Sequence, residues 1–456
     1  MSDAVPTPKN KQGGHPPRKR DAMGAGLAAL NKVASSRVID RVGLRKPLED
    51  LVHGSTKYGF RAVGAANRTF QATRKLDKPA RLGPASERGL FDLNPTDEQQ
   101  MIVDTVRDFA AEQLRPAAPD ADAKCQTPDG LLTRAAELGI GMMGIPEDVG
   151  GFGTERDVVT NVLVAEALAH GDMGLAVATL APSAVSTTLA QWGDADQQAT
   201  YLPAFTGENV PAAALALAEH APLFDPLRPR TRAKRTPKGY QLDGVKALVP
   251  RAAEAELFVV SADLEGQNGH RPALFLVEAS TAGVSTEPDP AMGLRGAATA
   301  SVHLDNVSLP AGSLIAGGDP DAFTEVVRLS RLGWCALAAG TGKAVLDYVI
   351  PYVNERVAFG EPISHRQGVA FQVSDIAIEL ESIRLVTLRA AARAEQGLPY
   401  AREVALARKL AADKGMFIGS AGVQLLGGHG YTKEHPVERW YRDLRAIGVM
   451  EGTVLV

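Results

Sequence analysis

The chain has 456 residues, of which 45% are hydrophobic and 22% charged, so it is long enough for two or three domains with substantial cores. No run approaches the roughly 20 uninterrupted apolar residues of a membrane-spanning helix, and the N-terminus has no signal-peptide core. The two cysteines, Cys125 and Cys335, have neither CxxC nor metal-ligand spacing, which fits a reducing compartment. We expect a soluble cytoplasmic protein without a metal site.

The charge is divided unevenly along the chain. Residues 1–90 carry 18 Lys and Arg against 7 Asp and Glu, whereas the rest carries 31 against 46. Residues 1–20 are rich in Pro, Gly and basic side chains and cannot form a core, so we predict disorder there. From Ala22 to about Leu44 the pattern predicts a basic amphipathic helix. We therefore expect a partly disordered basic extension over residues 1–90.

The predicted basic helix has two interpretations. It could lie on an anionic membrane surface, as a peripheral contact, or it could pack against the acidic body of its own or a neighbouring subunit. A docked or flexible extension is the simpler expectation, because basic faces are usually solvated. The charges come with neither aromatic interleaving nor zinc spacing, so we expect no nucleic-acid partner.

Residues 91–208 are predicted to form a helical domain. Cap residues and first-turn acids at 94–98 start a helix whose apolar stripe runs over Met101, Val103, Val106, Phe109, Ala110 and Leu114. Further helices are predicted at Leu131–Leu138, Val158–Ala169 and Ala184–Trp192. Between the first two of these, residues 145–153 contain Pro and three Gly and are predicted as a loop.

Residues 209–316 show a different period and are predicted to form a β domain. Short segments rich in branched residues end at Gly and Pro, as strands do. The predicted strands are Val245–Val249, Leu257–Ala262, Ala273–Val277 and Ser301–Leu309. In the last of them the alternation places Val302 and Leu304 on a buried face and His303 and Asp305 on the other.

Residues 317–456 are predicted to be helical again. Val373, Ile376, Leu380 and Ile383 follow each other at steps of three and four, which is typical of the buried stripe of one helix. Residues 405–426 are rich in alanine and suit close helix–helix contact. Pro351 lies within a helical pattern and is expected to kink it.

The C-terminal segment carries the most specific pattern of the chain. Two glycines, Gly427 and Gly428, follow an apolar helix face and tolerate close approach of a ligand. From Gln424 onward the sequence contains Q-x-x-G-G-x-G-Y-x-x-E-x-P-x-x-R, then R-D, then E-G-T ending at Thr453. This string resembles the acyl-CoA dehydrogenase family, and I-P-E-x-x-G-G-x-G at residues 145–153 resembles the same family.

The resemblance implies a mainly α fold with a central β domain. It implies an N-terminal helical domain, a β-barrel-like middle domain and a C-terminal four-helix bundle, in the order that the periodicity predicts. The match spans roughly residues 93–453.

The same resemblance makes Glu451 the catalytic base. A thioester's α-carbon is a weak acid, so its proton needs a carboxylate held in a water-poor pocket. As that proton leaves, a hydride passes from the β-carbon to flavin N5, giving the trans-2-enoyl thioester. Some members of the family place the base just before an arginine on an earlier helix. Here that place holds Ser330, before Arg331, which agrees with Glu451 as the base.

Cofactor and substrate contacts are also implied by the resemblance. The family pattern R-x-x-F-G-x-P-I…Q is matched by Arg356, Phe359 and Gln367, and its arginine and glutamine reach the diphosphate of FAD in the adjacent subunit. Gln424, Gly427 and Gly428 belong to the same diphosphate site, Thr453 contacts the flavin, and Arg331 and Gly452 lie at the substrate. Sites shared between chains imply a homodimer or homotetramer.

The β domain departs from the family pattern at two places. The usual T-E-P-x-A-G-S-D reads A-E-H-A-P-L-F-D at Ala218–Asp225, which removes two hydroxyl groups. The usual K-x-W-I-T-N reads K-A-L-V-P-R at Lys246–Arg251, without the aromatic residue or the threonine. In addition, Arg328 and Met450 stand where relatives often have an acid and a tyrosine. These losses leave it open whether FAD is retained.

The sequence leaves three possible functions open. The first is FAD-dependent dehydrogenation of an acyl-CoA, with an electron-transfer flavoprotein as the acceptor. The second is a scaffold or binding protein of the same fold that has lost turnover. The third is an acyl-CoA oxidase. Retention of Glu451, Arg356 and Gln367 favours an enzyme, whereas the lost flavin-facing hydroxyls favour the scaffold. The acyl chain length is not readable from the pattern.

Overall fold

The computed structural model describes residues 94–147, 150–151, 157–207, 209–266 and 269–452. The basic extension predicted over residues 1–90, its amphipathic helix and Thr453 lie outside the described residues, so these expectations stay predictions.

A helical part comes first. Thr96 caps the first helix through a capping box, in which its hydroxyl accepts from the backbone N–H of Gln99 and the Gln99 side chain accepts from the backbone N–H of Thr96. The helices are α1 (Asp97–Phe109), α2 (Arg115–Lys124), α3 (Leu131–Glu137), α4 (Val158–Gly171), α5 (Met173–Trp192) and α6 (Ala195–Phe205), with a π-helical turn at Ala110–Leu114.

The predicted stripe of α1 is wrong at one position. Met101 is 65% exposed, whereas Val103, Val106 and Phe109 are buried. A step of only two residues separates Met101 from Val103, which places the two side chains on different sides of a helix. The buried stripe therefore begins at Val103.

The helices α4 and α5 are almost entirely apolar. By length and hydropathy alone, α5 would be able to cross a membrane, but 72% of its most apolar window is buried inside the protein. Its N-terminus is capped by Asp172, which accepts from the backbone N–H of Leu175 at 3.0 Å. Helix α5 is therefore a core helix. The pattern predicted only its second half, from Ala184.

A curled sheet follows. Its strands are β1 (Ala213–Ala216), β2 (Arg232–Thr236), β3 (Gly239–Val249), β4 (Leu257–Gly266), β5 (Gly269–Glu278), β6 (Val284–Pro288) and β7 (Ala300–Pro310). The strand order is β1-β4-β2-β3-β7-β6, with β5 also paired to β4. The β4 pairs with β1 and β2 are parallel, and the other pairs are antiparallel.

The four predicted strands are present as parts of β3, β4, β5 and β7, whereas β1, β2 and β6 were not predicted. Strand β1 is alanine-rich, and β2 and β6 are largely exposed and polar. These three therefore lack the branched, alternating pattern that identifies a strand.

Long helices complete the fold. They are α7 (Pro320–Glu355), α8 (Gln367–Glu395), α9 (Ala401–Leu425) and α10 (Val437–Leu444), and the hairpin β8 (Val357–Ala358) and β9 (Glu361–Pro362) joins α7 to α8. Helix α7 packs against α4, α8 and α9. The contact with α4 is close at Gly340, where a Cβ atom would overlap the carbonyl of Glu166. The proline predicted within a helix, Pro351, lies near the end of α7. The order helical, β, helical is as predicted.

Buried ion pairs fix α10 against the earlier parts of the chain. Arg442 binds both carboxylate oxygens of Asp122 at 2.8 and 2.9 Å. Arg439 donates from Nε to Asp172 at 2.9 Å, and Asp443 accepts from the backbone N–H of Leu294 at 2.6 Å. Because α10 leads directly to residues 450–452, these contacts hold the end of the described chain beside α7.

Candidate active site

The backbone of residues 450–452 is held by two arginines from different helices. Arg331 of α7 donates from Nε and Nη2 to the carbonyl of Glu451 at 3.2 and 3.0 Å. Arg408 of α9 donates from Nη2 to the carbonyls of Met450 and Gly452. Glu451 itself has a φ of 55°, in the left-handed region that non-glycine residues rarely adopt. The arginine contacts compensate the cost of this conformation.

Burial lowers the pKa of both arginines. For Arg331, the charges of Glu451 and Asp225 oppose that effect. For Arg408, the charge of Arg331 lowers the pKa further, to about 10, against the opposing charge of Glu451. Both guanidinium groups still carry their charge at neutral pH. Glu451 therefore lies among positively charged side chains.

The two carboxylate oxygens of Glu451 have different surroundings. Oε1 accepts a hydrogen bond from the hydroxyl of Ser330 at 2.9 Å and a second from Nε1 of Trp334 at 3.2 Å. Oε2 is buried and has no hydrogen-bond partner. The whole residue is only 7% exposed. A buried oxygen without a partner is unusual and marks a group that is free to accept a proton.

Glu451 lines a cavity of about 240 Å³. Most of the lining is apolar and comes from α4, α5, α7 and the ends of β1 and β3, for example Val162, Leu180, Leu329 and Leu337. The polar side chains at the wall include Ser330 and Trp334, which face Glu451. The arrangement is a carboxylate at the wall of an apolar cavity, which is the environment that proton abstraction from a weak carbon acid needs.

Gly452, predicted at the substrate, is required by packing. Its φ is 94°, and a Cβ atom there would overlap Cδ of Pro226. The segment around Phe224 and Pro226 therefore lies directly against the residue after the base. Arg331, the other residue predicted to contact substrate, binds the backbone of Glu451. Substrate contact by Arg331 and Gly452 stays a prediction.

The departing β-domain segments form a buried ion pair behind this wall. Nζ of Lys246 lies 2.6 Å from Oε1 of Glu219 and 2.9 Å from the hydroxyl of Ser261, and the lysine side chain is fully buried. Glu219 also accepts from the backbone N–H groups of Arg230 and Thr231. Burial lowers the pKa of Lys246 to about 8, against the opposing charge of Glu219. The pair holds the segment at 218–231 to strand β3 although the hydroxyl residues of the family pattern are missing.

Five of the predicted cofactor residues line a second, open pocket of about 770 Å³. They are Arg356, Phe359, Gln424, Gly427 and Gly428. A Cβ atom added at Gly427 or Gly428 would lie in open space, and Gly427 has a φ of 59°. The backbone there is accessible to a ligand. Gln367 does not line this pocket. It is the exposed first residue of α8, next to Arg366, which does line it.

The hairpin that carries Phe359 is strongly exposed. Phe359 and Gly360 connect β8 to β9 with φ values of 56° and 87°, as a two-residue turn with the twist of a hairpin requires. The Phe359 side chain is 96% exposed. In the described part of the chain, nothing covers this large aromatic ring beyond the guanidinium of Arg366, 6.0 Å from its centroid.

The residues of this pocket fit a phosphate-bearing cofactor. Arg356 and Arg366 supply positive charge, and the glycines supply an open backbone. The first N–H groups of α8 have no side-chain cap, because the side chain of the N-cap residue Arg366 has no acceptor for them. Uncapped N–H groups at a helix start favour anions. The chemistry of the donor set therefore agrees with a diphosphate.

One group in the described chain has metal-ligand character, although no metal site was predicted. One ligand atom from each of His429, Glu434 and His435 lies within 4.8 Å of the other two. His435 is also within 2.6 Å of the Tyr348 hydroxyl through Nδ1. His429 and Glu434 are exposed to solvent, and Nδ1 of His429 lies 3.8 Å from a carboxylate oxygen of Glu434.

The sequence reasoning missed the contacts of three residues with the segment that carries Glu451. Nothing in the pattern separates Trp334 from the apolar residues of α7, and Ser330 was noted only because it is not an acid. Arg408 lies in an alanine-rich helix, where a single arginine on the buried face was a usable signal. No signal in one sequence pairs Trp334 with a residue 117 positions away.

Comparison with known proteins agrees with this geometry. Family models described as the N-terminal, middle and C-terminal domains of acyl-CoA dehydrogenase match residues 96–208, 214–307 and 321–455. The short/branched chain specific acyl-CoA dehydrogenase of Rattus norvegicus is 31% identical over 363 residues, which is 78% of this chain and 83% of the relative.

Solved structures show the same similarity. Butyryl-CoA dehydrogenase from Megasphaera elsdenii superimposes with a TM-score of 0.74 at 28% identity, covering 80% of this chain and 97% of that chain. A structure described as the electron transferring flavoprotein of Acidaminococcus fermentans gives a TM-score of 0.74 at 29% identity, with the same coverage.

The chain therefore belongs to the acyl-CoA dehydrogenase family, and it has the family's N-terminal, middle and C-terminal domains. It is an oxidoreductase of a FAD-dependent family. The fold predicted from the resemblance is confirmed.

Proposed function

We propose that this protein oxidises the Cα–Cβ bond of an acyl-CoA thioester, with Glu451 as the base that removes the α-proton. The single observation that carries this proposal is the carboxylate of Glu451 at the wall of an apolar cavity, with Oε2 buried and unpaired. A thioester bound in that cavity contacts the apolar lining instead of bulk water. The guanidinium groups of Arg331 and Arg408 lie nearby and are opposite in charge to a carboxylate.

FAD is the cofactor in this proposal. Arg356, Gln424 and the backbone at Gly427 and Gly428 would hold its diphosphate, and Gln367 and Phe359 would lie beside it. When bound, FAD accepts the hydride from the substrate β-carbon. The protein's own part is to bind the thioester, exclude water and take the α-proton on Glu451. The product of this step is the trans-2-enoyl thioester.

The proposal includes a homodimer or homotetramer. Phe359 is almost fully exposed at a hairpin tip, and the pocket beside it is open rather than enclosed. An exposed aromatic ring beside an open basic pocket suits a surface that a second copy of the chain covers. A diphosphate held between two chains explains why Arg356 and Glu451 belong to separate pockets of the same chain.

Short acyl groups, including branched ones, are the substrate class that we propose. The relatives named above include a short/branched chain enzyme and a butyryl-CoA enzyme. A cavity of about 240 Å³ accommodates a small acyl group. An electron-transfer flavoprotein is the proposed electron acceptor, and a cytoplasmic location is proposed from the composition alone.

An anaerobic titration tests the function. The purified protein is loaded with FAD and mixed with acyl-CoA thioesters of increasing chain length and with a branched thioester, while flavin absorbance is recorded. We expect bleaching by the short and branched thioesters. Protein that cannot take up FAD, or flavin that no acyl-CoA bleaches, contradicts the proposed dehydrogenation and favours the scaffold.

The oxidase is the remaining alternative on the same site. It differs from a dehydrogenase only in how the reduced flavin is reoxidised. Oxygen consumption during turnover distinguishes the two: rapid uptake of oxygen without an added acceptor indicates the oxidase, whereas turnover that depends on an electron-transfer flavoprotein indicates the dehydrogenase.

A further inference from the structure

The two oxygens of the Glu451 carboxylate differ in their hydrogen-bond donors. Ser330 and Trp334 lie one helical turn apart on α7, at positions i and i+4, so both side chains stand on the same face of the helix. Both donate to Oε1 of Glu451 and neither to Oε2. Two donors on one oxygen fix the plane of the carboxylate and leave the other oxygen with its lone pairs free.

We infer that Ser330 and Trp334 are positioning residues for the base, holding Oε1 of Glu451 so that Oε2 takes the α-proton of the thioester. The inference rests on the proposed function of Glu451. It adds which oxygen reacts and which two side chains select it. In the proton transfer, the Cα–H bond breaks, its electron pair stays on the substrate, and the new O–H bond forms at Oε2.

The charged surroundings of Glu451 explain why neutral donors are needed to orient its carboxylate. Cationic side chains approach from three elements: Arg331 on α7, Arg408 on α9 and Lys246 on β3. The guanidinium groups of Arg331 and Arg408 bind backbone carbonyls, and Lys246 binds Glu219. Within the described part of the chain, none of the three donates a hydrogen bond to the carboxylate of Glu451, so the orientation of that carboxylate depends on the neutral donors Ser330 and Trp334.

A thioester that cannot lose a hydride isolates this step. In a 3-thia-acyl-CoA, sulfur replaces the β-carbon, so hydride transfer is impossible while α-proton removal remains possible. The FAD-loaded protein is incubated in D₂O with a saturating amount of this thioester, and α-proton exchange is followed by ¹H NMR. The measurement reports the action of the base without turnover of the enzyme.

The variants are Trp334→Phe and Ser330→Ala, each of which removes one hydrogen-bond donor. Trp334→Phe also removes ring volume, for which Trp440→Phe is the control. We expect each to slow exchange about tenfold at neutral pH, since a hydrogen bond to a charged group is lost. The rise of the exchange rate with pH should also move upward by about one pH unit, because the ionised carboxylate loses a stabilising donor. A side chain with only a packing role does not move that profile.

Matched controls come from the same chain. Trp440→Phe makes the same change at a buried tryptophan whose Nε1 has no hydrogen-bond partner. Ser382→Ala removes an exposed hydroxyl on α8 that bonds only the carbonyl of Ile378. Both controls should exchange at the wild-type rate with the wild-type pH profile.

The reference variant Glu451→Gln distinguishes failure of the positioning inference from failure of the proposed function. If Glu451→Gln abolishes exchange while Trp334→Phe and Ser330→Ala keep the wild-type rate and profile, the positioning inference is overturned and the proposed base stands. If Glu451→Gln exchanges normally, the proposed function itself fails. Slower exchange in both donor variants with a displaced profile, in proteins that unfold at the wild-type urea concentration, supports the inference.

Discussion

At the scale of single residues, the sequence singled out Glu451 as the candidate base, but it did not identify the residues that contact Glu451. Glu451 lies in a long string of fixed spacing, and such a string identifies a position without any knowledge of its surroundings. Ser330, Trp334 and Arg408 act through contacts that span 42 to 121 positions of sequence. Their residue types are ordinary for a helix, so only the folded arrangement shows that they contact Glu451 and its neighbours.

The effect of the β-domain departures from the family pattern also could not be predicted from the sequence. Counting lost hydroxyl groups at Ala218–Asp225 suggested a weakened site. The structure shows that Glu219 and Lys246, two residues retained within these segments, form a buried and fully bonded pair. Removal of one partner of such a pair usually costs about 3–5 kcal/mol of stability. The segment is therefore held by its retained charges.

At the scale of elements, helix existence was predictable and element length was less so. The cap at Thr96 and the stripe from Val103 to Leu114 correspond to the observed α1 and the following π-helical turn. Helix α5 was predicted too short, because its first half is apolar on all sides and shows no period. Strands β1, β2 and β6 were missed because a strand of small or exposed residues carries no alternation.

Helix α10 offers a test of how an element is docked. Its last acid, Asp443, is buried, accepts from the backbone N–H of Leu294 and lies near Asp172. Burial, followed by the charge of Asp172, raises the pKa of Asp443. The fold therefore retains a proton that the unfolded chain loses at lower pH. As pH rises above the usual range of an aspartate, this residue makes folding less favourable.

Asp443→Asn should remove that pH dependence, because the amide oxygen still accepts from Leu294 and cannot ionise. Relative to the variant, the wild type should lose stability as pH rises, on the order of 1 kcal/mol for each pH unit in which the fold alone holds the proton. Urea unfolding of both proteins between pH 4 and 8 measures this. Parallel curves, or a change equal to that of the exposed control Asp375→Asn, contradict the assignment.

At the scale of the whole molecule, the order of parts was predictable and the assembly was not. The change of period from helix to strand and back located three regions along the chain. Five of the residues that the resemblance assigns to FAD line one open pocket. How two chains meet depends on surface shape, which periodicity does not encode. The exposed Phe359 and the open pocket beside Arg356 are visible only in the structure.

Complementation between two inactive variants tests the shared site. Arg356→Ala should lose FAD, whereas Glu451→Gln should keep FAD but lack the base. In a mixed dimer, one of the two sites combines the intact base of one chain with the intact Arg356 of the other. Co-expressed with two different tags and purified through both, the mixed dimer should show roughly half of the wild-type activity.

A mixed dimer without activity is the opposite outcome. If each site were built within one chain, both chains of the mixed dimer would stay inactive, because each would still carry its own lesion. A mixed dimer without activity, made from variants that fold and pair normally, contradicts the sharing of the FAD pocket between chains. It leaves the role of Glu451 untouched.

The central claim is that the carboxylate of Glu451 removes the α-proton, and the rate of flavin bleaching in Glu451→Gln tests it most directly. The FAD-loaded variant is mixed anaerobically with the acyl-CoA that bleaches the wild type fastest. The account predicts that the variant keeps its FAD and its affinity for the thioester, while bleaching slows by a factor of about 10² to 10⁴, the usual contribution of a general base. Bleaching at the wild-type rate would contradict the account.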